Sequence, residues 1–171
     1  GQNNVAIGSS VLYSNTTGEK NVAIGDLALH TNTTGRMNVA VGAGAMQLNT
    51  KGAFNIAMGE QVLYKNTEGN FNVALGQNAL YDNTTASYNI GISNQALRFN
   101  TTGQYNVAIG FRSLYSNTTG NYNIALGYHA LYSGVTTQYN VAVGFEALQD
   151  NTTSFNVAIG YNALSTEDAH G

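Results

Sequence analysis

Three histidines, nine carboxylates and a scatter of serines are the groups in this 171-residue chain that could carry acid–base, metal or nucleophilic chemistry. His30, His129 and His170 share neither a face nor a ligand spacing, so they do not read as a metal or proton-transfer site. Glu146 and Asp150 are near in sequence, and a glycosidase needs two carboxylates held about 5–10 Å apart. Asp150, however, has no acidic residue at the equivalent place one repeat away. No serine stands in a nucleophile elbow, and Gly42-Ala43-Gly44 lacks the strand–turn–helix setting of a phosphate loop. There is no cysteine, hence no disulfide framework and no thiolate metal site. The expectation is a protein that is not an enzyme, with no catalytic residue, cofactor or bound metal.

What must position any functional surface is a repeat. A seventeen-residue phrase opens at Asn4, Asn21, Asn38, Asn55, Asn72, Asn89, Asn106, Asn123, Asn140 and Asn156, with a last step of sixteen. It reads roughly Asn-Val-Ala-Ile-Gly-x-x-Ala-Leu-Tyr-x-Asn-Thr-Thr-Gly-x-Tyr, and below its places are numbered 1 to 17. In-register repetition of this kind means stacked units whose function lies along a surface rather than in a central pocket. The expected domain is one repeat array over residues 1–171, with a non-repeat tail at 165–171. Because the ends fall close to repeat boundaries, a segment of a longer protein is expected.

Each unit is predicted to be two short strands and two turns. Tyr105, Val107 and Ile109 alternate with Asn106, Ala108 and Gly110, a period of two with β-branched residues favoured in strands. Ser113-Leu114-Tyr115 reads as a second extended piece, and Asn117-Thr118-Thr119-Gly120 as a turn. Glycine breaks and β-branching exclude helices. One unit is too small to bury its own apolar face, so stacking is required, giving an all-β parallel β-roll or β-solenoid of ten coils. Val, Ile and Leu are expected to be buried between coils, about 1.5–3 kcal/mol per side chain before entropy is subtracted. The small Asn-Ala-Gly face is then expected to meet another chain, three parallel chains being the leading arrangement. The asparagines at place 1, and those at place 12 (Asn15, Asn32, Asn49, Asn66, Asn83, Asn100, Asn117 and Asn151), are expected to form amide ladders. Several match the glycosylation acceptor pattern, but the repeat generates those matches automatically.

Composition narrows the partners. Charged residues are 9% of the chain and the net charge is −3, which leaves no basic footprint for nucleic acid or an anionic membrane. No apolar run reaches the ~18 residues of a membrane helix.

The phrase also resembles a family. Asn-Val-Ala-Ile-Gly at 4–8, 21–25, 106–110 and 156–160 is similar to the head repeats of trimeric autotransporter adhesins. Ser113-Leu114-Tyr115-Ser116-Asn117-Thr118-Thr119-Gly120-Asn121-Tyr122-Asn123 is closer to the repeats of phage tail fibres and related bacterial surface proteins, which often end in a self-cleaving intramolecular chaperone. The resemblance spans residues 4–164. It implies a left-handed roll, a parallel homotrimer, flanking fibre domains, and a role in attachment to a host cell surface. The location it implies is extracellular, on a virion or alternatively on a bacterial cell. It carries over neither a receptor nor a catalytic residue.

Variation between copies points to where a target would be read. At place 6 the first six copies hold Ser9, Asp26, Ala43, Glu60, Gln77 and Asn94, and the last four hold Phe111, Tyr128, Phe145 and Tyr161. That strip is the candidate contact for a cell-surface glycan or receptor, since aromatic rings enrich at contacts. The reading placed ahead of it is packing on a neighbouring chain or on Tyr115 and Tyr132. A second file at place 17, from Phe54 to Phe155, is read as structural. Adjacent threonines in a turn do not make the flat Thr ladder of an ice-binding face. The sixth copy exchanges Ala and Gly (Asn89-Ile90-Gly91-Ile92-Ser93), and the eighth has Ser133-Gly134-Val135-Thr136-Thr137 in its turn. Both are expected to distort locally.

Overall fold

The computed structural model describes residues 1–166, so His170 lies outside the described residues. Ten three-residue strands form one sheet whose order follows the sequence: β1 Val5–Ile7, β2 Val22–Ile24, β3 Val39–Val41, β4 Ile56–Met58, β5 Val73–Leu75, β6 Ile90–Ile92, β7 Val107–Ile109, β8 Ile124–Leu126, β9 Val141–Val143 and β10 Val157–Ile159. Every neighbouring pair is parallel and in register, Val5 opposite Val22 and Val22 opposite Val39. The chain is a β-solenoid that advances one strand per repeat.

The coil differs from the expected one in three respects. Only one strand forms per coil. The stretch read as a second strand is a turn in which places 7 and 9 are left-handed, as at Arg112 and Leu114 (φ 52° and 50°). Tyr105, at place 17, is also left-handed (φ 57°) and precedes the strand instead of starting it. Non-glycine residues at these three places take φ between 48° and 67° in coil after coil. Left-handed backbone costs about 1–2 kcal/mol per residue, so something must hold it. Coil-to-coil backbone bonds do so. Gln61 N–H donates to the Ala43 carbonyl at 2.8 Å, Leu63 N–H to Ala79 at 3.0 Å, and Lys65 N–H to Tyr81 at 3.0 Å. The whole circumference is laddered, and the strand is only its straightest part.

The interior face is also the reverse of the expected one. Ala23, Ala40, Ala57, Ala74, Ala108, Ala125 and Ala142 are fully buried, whereas the flanking Val and Ile of each strand point outward. Place 9 supplies the bulk of the core: Leu29, Met46, Leu63, Leu80, Leu97, Leu114 and Leu131, all fully buried. The coil is too narrow for Val and Ile from the strand to face these leucines as well. Alanine fits, so the small face is interior and the large apolar face is outside.

The asparagine ladders are present, and they do more than run coil to coil. Asn55 N–H and Nδ2 both donate to Asn38 Oδ1 (3.0 and 3.1 Å), and Asn72 does the same to Asn55 (2.9 and 3.1 Å). At place 12, Asn49 Nδ2 donates to Asn32 Oδ1 at 2.8 Å. Within one coil both files converge: Asn38 Nδ2 and Asn49 Nδ2 donate to the Gly52 carbonyl at 2.8 and 3.1 Å. A Cβ at Gly52 would collide with the Asn49 carboxamide, with Asn66 Nδ2 and with the Gly69 carbonyl, which is why place 15 is so often glycine. In the ninth coil, shorter by one residue, the Thr153 carbonyl takes over as the shared acceptor.

Neither irregular copy bulges. Ser93 adopts φ 112° at a place otherwise held by glycine, and β6 stays in register with both neighbours. In the eighth coil Gly134 replaces the ladder asparagine and Thr137 the glycine. The backbone keeps its course, but Asn117 Oδ1 and Thr137 Oγ1 are left buried without hydrogen bonds.

These ladders should dominate stability. Asn55→Ala strands the buried Asn72 N–H and should cost about 2–4 kcal/mol, a fall of roughly 5–15 °C in the melting midpoint followed by circular dichroism. Conversely, Gly134→Asn with Thr137→Gly should restore the ladder and raise the midpoint by about 2–6 °C. Gly134→Asn alone should not, because its Cβ would stand 2.6 Å from Thr137 Oγ1.

Candidate functional site

The four aromatic residues at place 6 follow the glycine that ends each strand, so they leave the outer surface at one-coil intervals. Phe111, Tyr128, Phe145 and Tyr161 form a continuous stack, with centroids 5.4, 4.9 and 5.2 Å apart and ring planes within 7–16° of parallel. Tyr128 and Phe145 are each 41% exposed and Tyr161 is 75% exposed. The sequence had brought these residues together correctly. What it could not convey is how they present themselves: each inner ring spends both faces on its neighbours. Glycan stacking uses a ring face, and this ladder offers edges, except at the Tyr161 end.

His129 is wedged beside the stack. Its imidazole lies 4.1 Å from the Tyr128 ring, 5.7 Å from Phe111 and 4.7 Å from Tyr132, and its Nε2 is buried without a hydrogen bond. Tyr132 stacks in turn on Tyr115 at 5.1 Å. Two aromatic files thus meet across one histidine, which links the strip to Tyr132 within a single chain. Arg112 lies over Phe111 (5.0 Å) and Tyr115 (5.2 Å) and donates Nε–H to Gln95 Oε1 at 2.7 Å. Below it, Asp82 pairs with Lys65 at 2.7 Å and approaches Arg98 at 3.6 Å, and Arg98 also covers the Tyr81 ring at 4.5 Å. The Asp82 carboxylate raises the Lys65 pKa through its hydrogen bond and charge. These groups are partly solvated, so such pairs contribute little to stability.

The other residues considered for chemistry do not assemble. His30 takes the place of a tyrosine, stacks on Tyr13 at 5.2 Å and holds the Ser10 carbonyl at 2.9 Å through Nδ1. Asp150 accepts from Ser133 Oγ at 3.1 Å. No three His, Cys, Asp or Glu side chains come together as a metal site among the described residues. No helix there is long and apolar enough to cross a membrane.

The second aromatic file proves to be surface. Phe54, Phe71, Tyr88, Tyr105, Tyr122, Tyr139 and Phe155 stack at 4.8–5.2 Å, and those between Phe54 and Tyr139 are 37–48% exposed. They border the outward Val and Ile files, of which Ile56, Met58, Ile109 and Ile124 are exposed. Sequence reading missed this face because it placed these side chains in the core.

Burial, and then the Arg112 guanidinium, hold the His129 pKa below the ordinary 6.5, with Glu146 opposing. A depressed folded pKa means that the unfolded chain takes up the proton first as pH falls. Stability should therefore be full above pH ~6.5, decline as pH drops below that value, and level off below the folded pKa. Denaturant unfolding at pH 5 and 7.5 checks this, and His129→Gln should shrink the difference. No family model, curated protein or solved structure matches the chain.

Proposed function

We propose that this chain is a non-enzymatic, stiff segment of a trimeric extracellular fibre that mediates attachment to a host cell surface. One observation carries the reading: the large apolar side chains of the sheet face outward along the whole array. Two files about 7 Å apart running ~45 Å make on the order of 500 Å² of apolar surface. The ring ladder adds to this, and a monomer's largest patch is ordinarily about 300–600 Å². Burying that face between parallel copies would give each chain the second wall that its thin alanine-lined interior lacks. Identical parallel chains would also bring equivalent coils to one level, which suits a periodic surface.

The similarity of the repeats to those of phage tail fibres and trimeric adhesins supports the same assembly. It favours a left-handed winding, flanking fibre domains, and a location on a virion or a bacterial cell. In this reading the repeats are scaffold, and the non-repeating columns face the host.

Light scattering on the purified chain tests the assembly. A mass three times the 18.0 kDa of one chain is expected. Val73→Lys with Val107→Lys should release monomers, since both point outward and neither fills the core. A wild-type mass near 18.0 kDa would refute the trimer.

A further inference from the structure

The third coil differs from the rest on its outer surface. At places 6 and 7 it carries Ala43 and Gly44, where the coils on either side carry Asp26 and Leu27, then Glu60 and Gln61. The missing side chains leave an open notch of about 180 Å³. Gly44 keeps the left-handed backbone of its column (φ 65°) without the side chain that place normally bears.

The notch is chemically furnished. Asp26, Gln47 and Gln61 line it with side chains that make no hydrogen bond among the described residues. Glu60, on the opposite wall, uses only Oε2, which accepts from Gln77 Nε2 at 2.9 Å. Tyr64 stands beside the notch without lining it: its Cδ2 lies 3.6 Å from where a Cβ on Gly44 would stand. Tyr64 stacks on Tyr81 at 5.0 Å. On its other side, place 10 of the preceding coil is Gln47, so the ring ladder stops there. Carboxylates and free amides around a gap, with the end of a ring stack beside it, suit a ring bearing several hydroxyls.

We propose that this notch is a binding subsite for one sugar residue, neutral or amino-bearing, of a cell-surface glycan. Its volume is well below the ~300–1,000 Å³ of a drug-sized pocket and suits a single ring. Asp26 and Glu60 accept from hydroxyl or ammonium groups, and the Gln47 and Gln61 amides can donate or accept. Two uncompensated carboxylates repel an acidic sugar. None of the lining residues belongs to the outward Val and Ile files, so the subsite requires no particular oligomeric state. It specifies the attachment role proposed above, but a monomer that binds sugar would overturn the trimer and leave the subsite standing.

Saturation-transfer NMR on the whole chain tests it, using methyl glucoside, glucosamine, N-acetylneuraminic acid and methylguanidinium as probes. Transfer to methyl glucoside or glucosamine is expected, with none to neuraminic acid. Ala43→Gln with Gly44→Asn fills the notch with the residues the fifth coil holds at those places, Gln77 and Asn78, in a backbone that Asn78 already adopts (φ 57°). That variant should melt no lower than wild type and bind at least tenfold more weakly. Asp26→Asn should weaken glucosamine more than methyl glucoside. The proposal is overturned if neither sugar shows transfer, if transfer survives in the filled variant, or if methylguanidinium binds where the sugars do not. That last outcome would assign the notch to a cationic peptide side chain.

Discussion

The structure depends on one interaction: two asparagine carboxamides meeting at one glycine carbonyl in each regular coil. Asn38 and Asn49 at Gly52, and Asn106 and Asn117 at Gly120, close the loop of backbone that would otherwise be free to open. The same carboxamides accept from the next coil, so closing a coil and stacking it are a single event. This explains how three left-handed non-glycine corners per coil persist. Each corner is disfavoured alone, but its N–H is committed to a neighbour whose position the amides have already fixed.

Because the amides and the leucines occupy the interior, little room remains there for the strand. That decides the facing of the sheet. The Asn-Val-Ala-Ile-Gly alternation was legible as a strand, and the period fixed the order, register and parallel sense of all ten. Which side was inside was not legible. Alternation says only that Ala23 and Val22 point opposite ways, and the usual preference for burying the larger residue fails when the cavity is one alanine deep. Nor could the turn at Ser113-Leu114-Tyr115 be read. A left-handed leucine has no signature of its own, since it is imposed by the coil-to-coil bonds and not by local propensity.

The reversed facing alters what the surface files mean. The rings from Phe54 to Phe155 continue the outward Val and Ile files and belong with them, as one apolar wall parallel to the rod. The strip from Phe111 to Tyr161 was legible as a place where one column changes character. Its stacking was not, because sequence spacing gives the rise between rings but not the angle at which they leave the backbone. Stacked at about one coil rise, the rings satisfy one another, and His129 completes their packing. Recognition by an open ring face is better served where a stack ends than along its length.

A surface that repeats every coil offers the same contacts ten times over and so cannot define one place on the rod. A specific place requires the period to lapse. Where it lapses inside, at Gly134 and Thr137, two polar groups lose their partners and the cost falls on stability. Where it lapses outside, at Ala43 and Gly44, the ladders beneath are undisturbed: Asn49 and Asn66 still bond at 2.8 Å. The lapse therefore costs the fold almost nothing and leaves polar side chains uncommitted around the gap. Departures from the repeat on the outer columns are the cheapest route by which such a scaffold acquires specificity, whereas departures in the amide files can only weaken it.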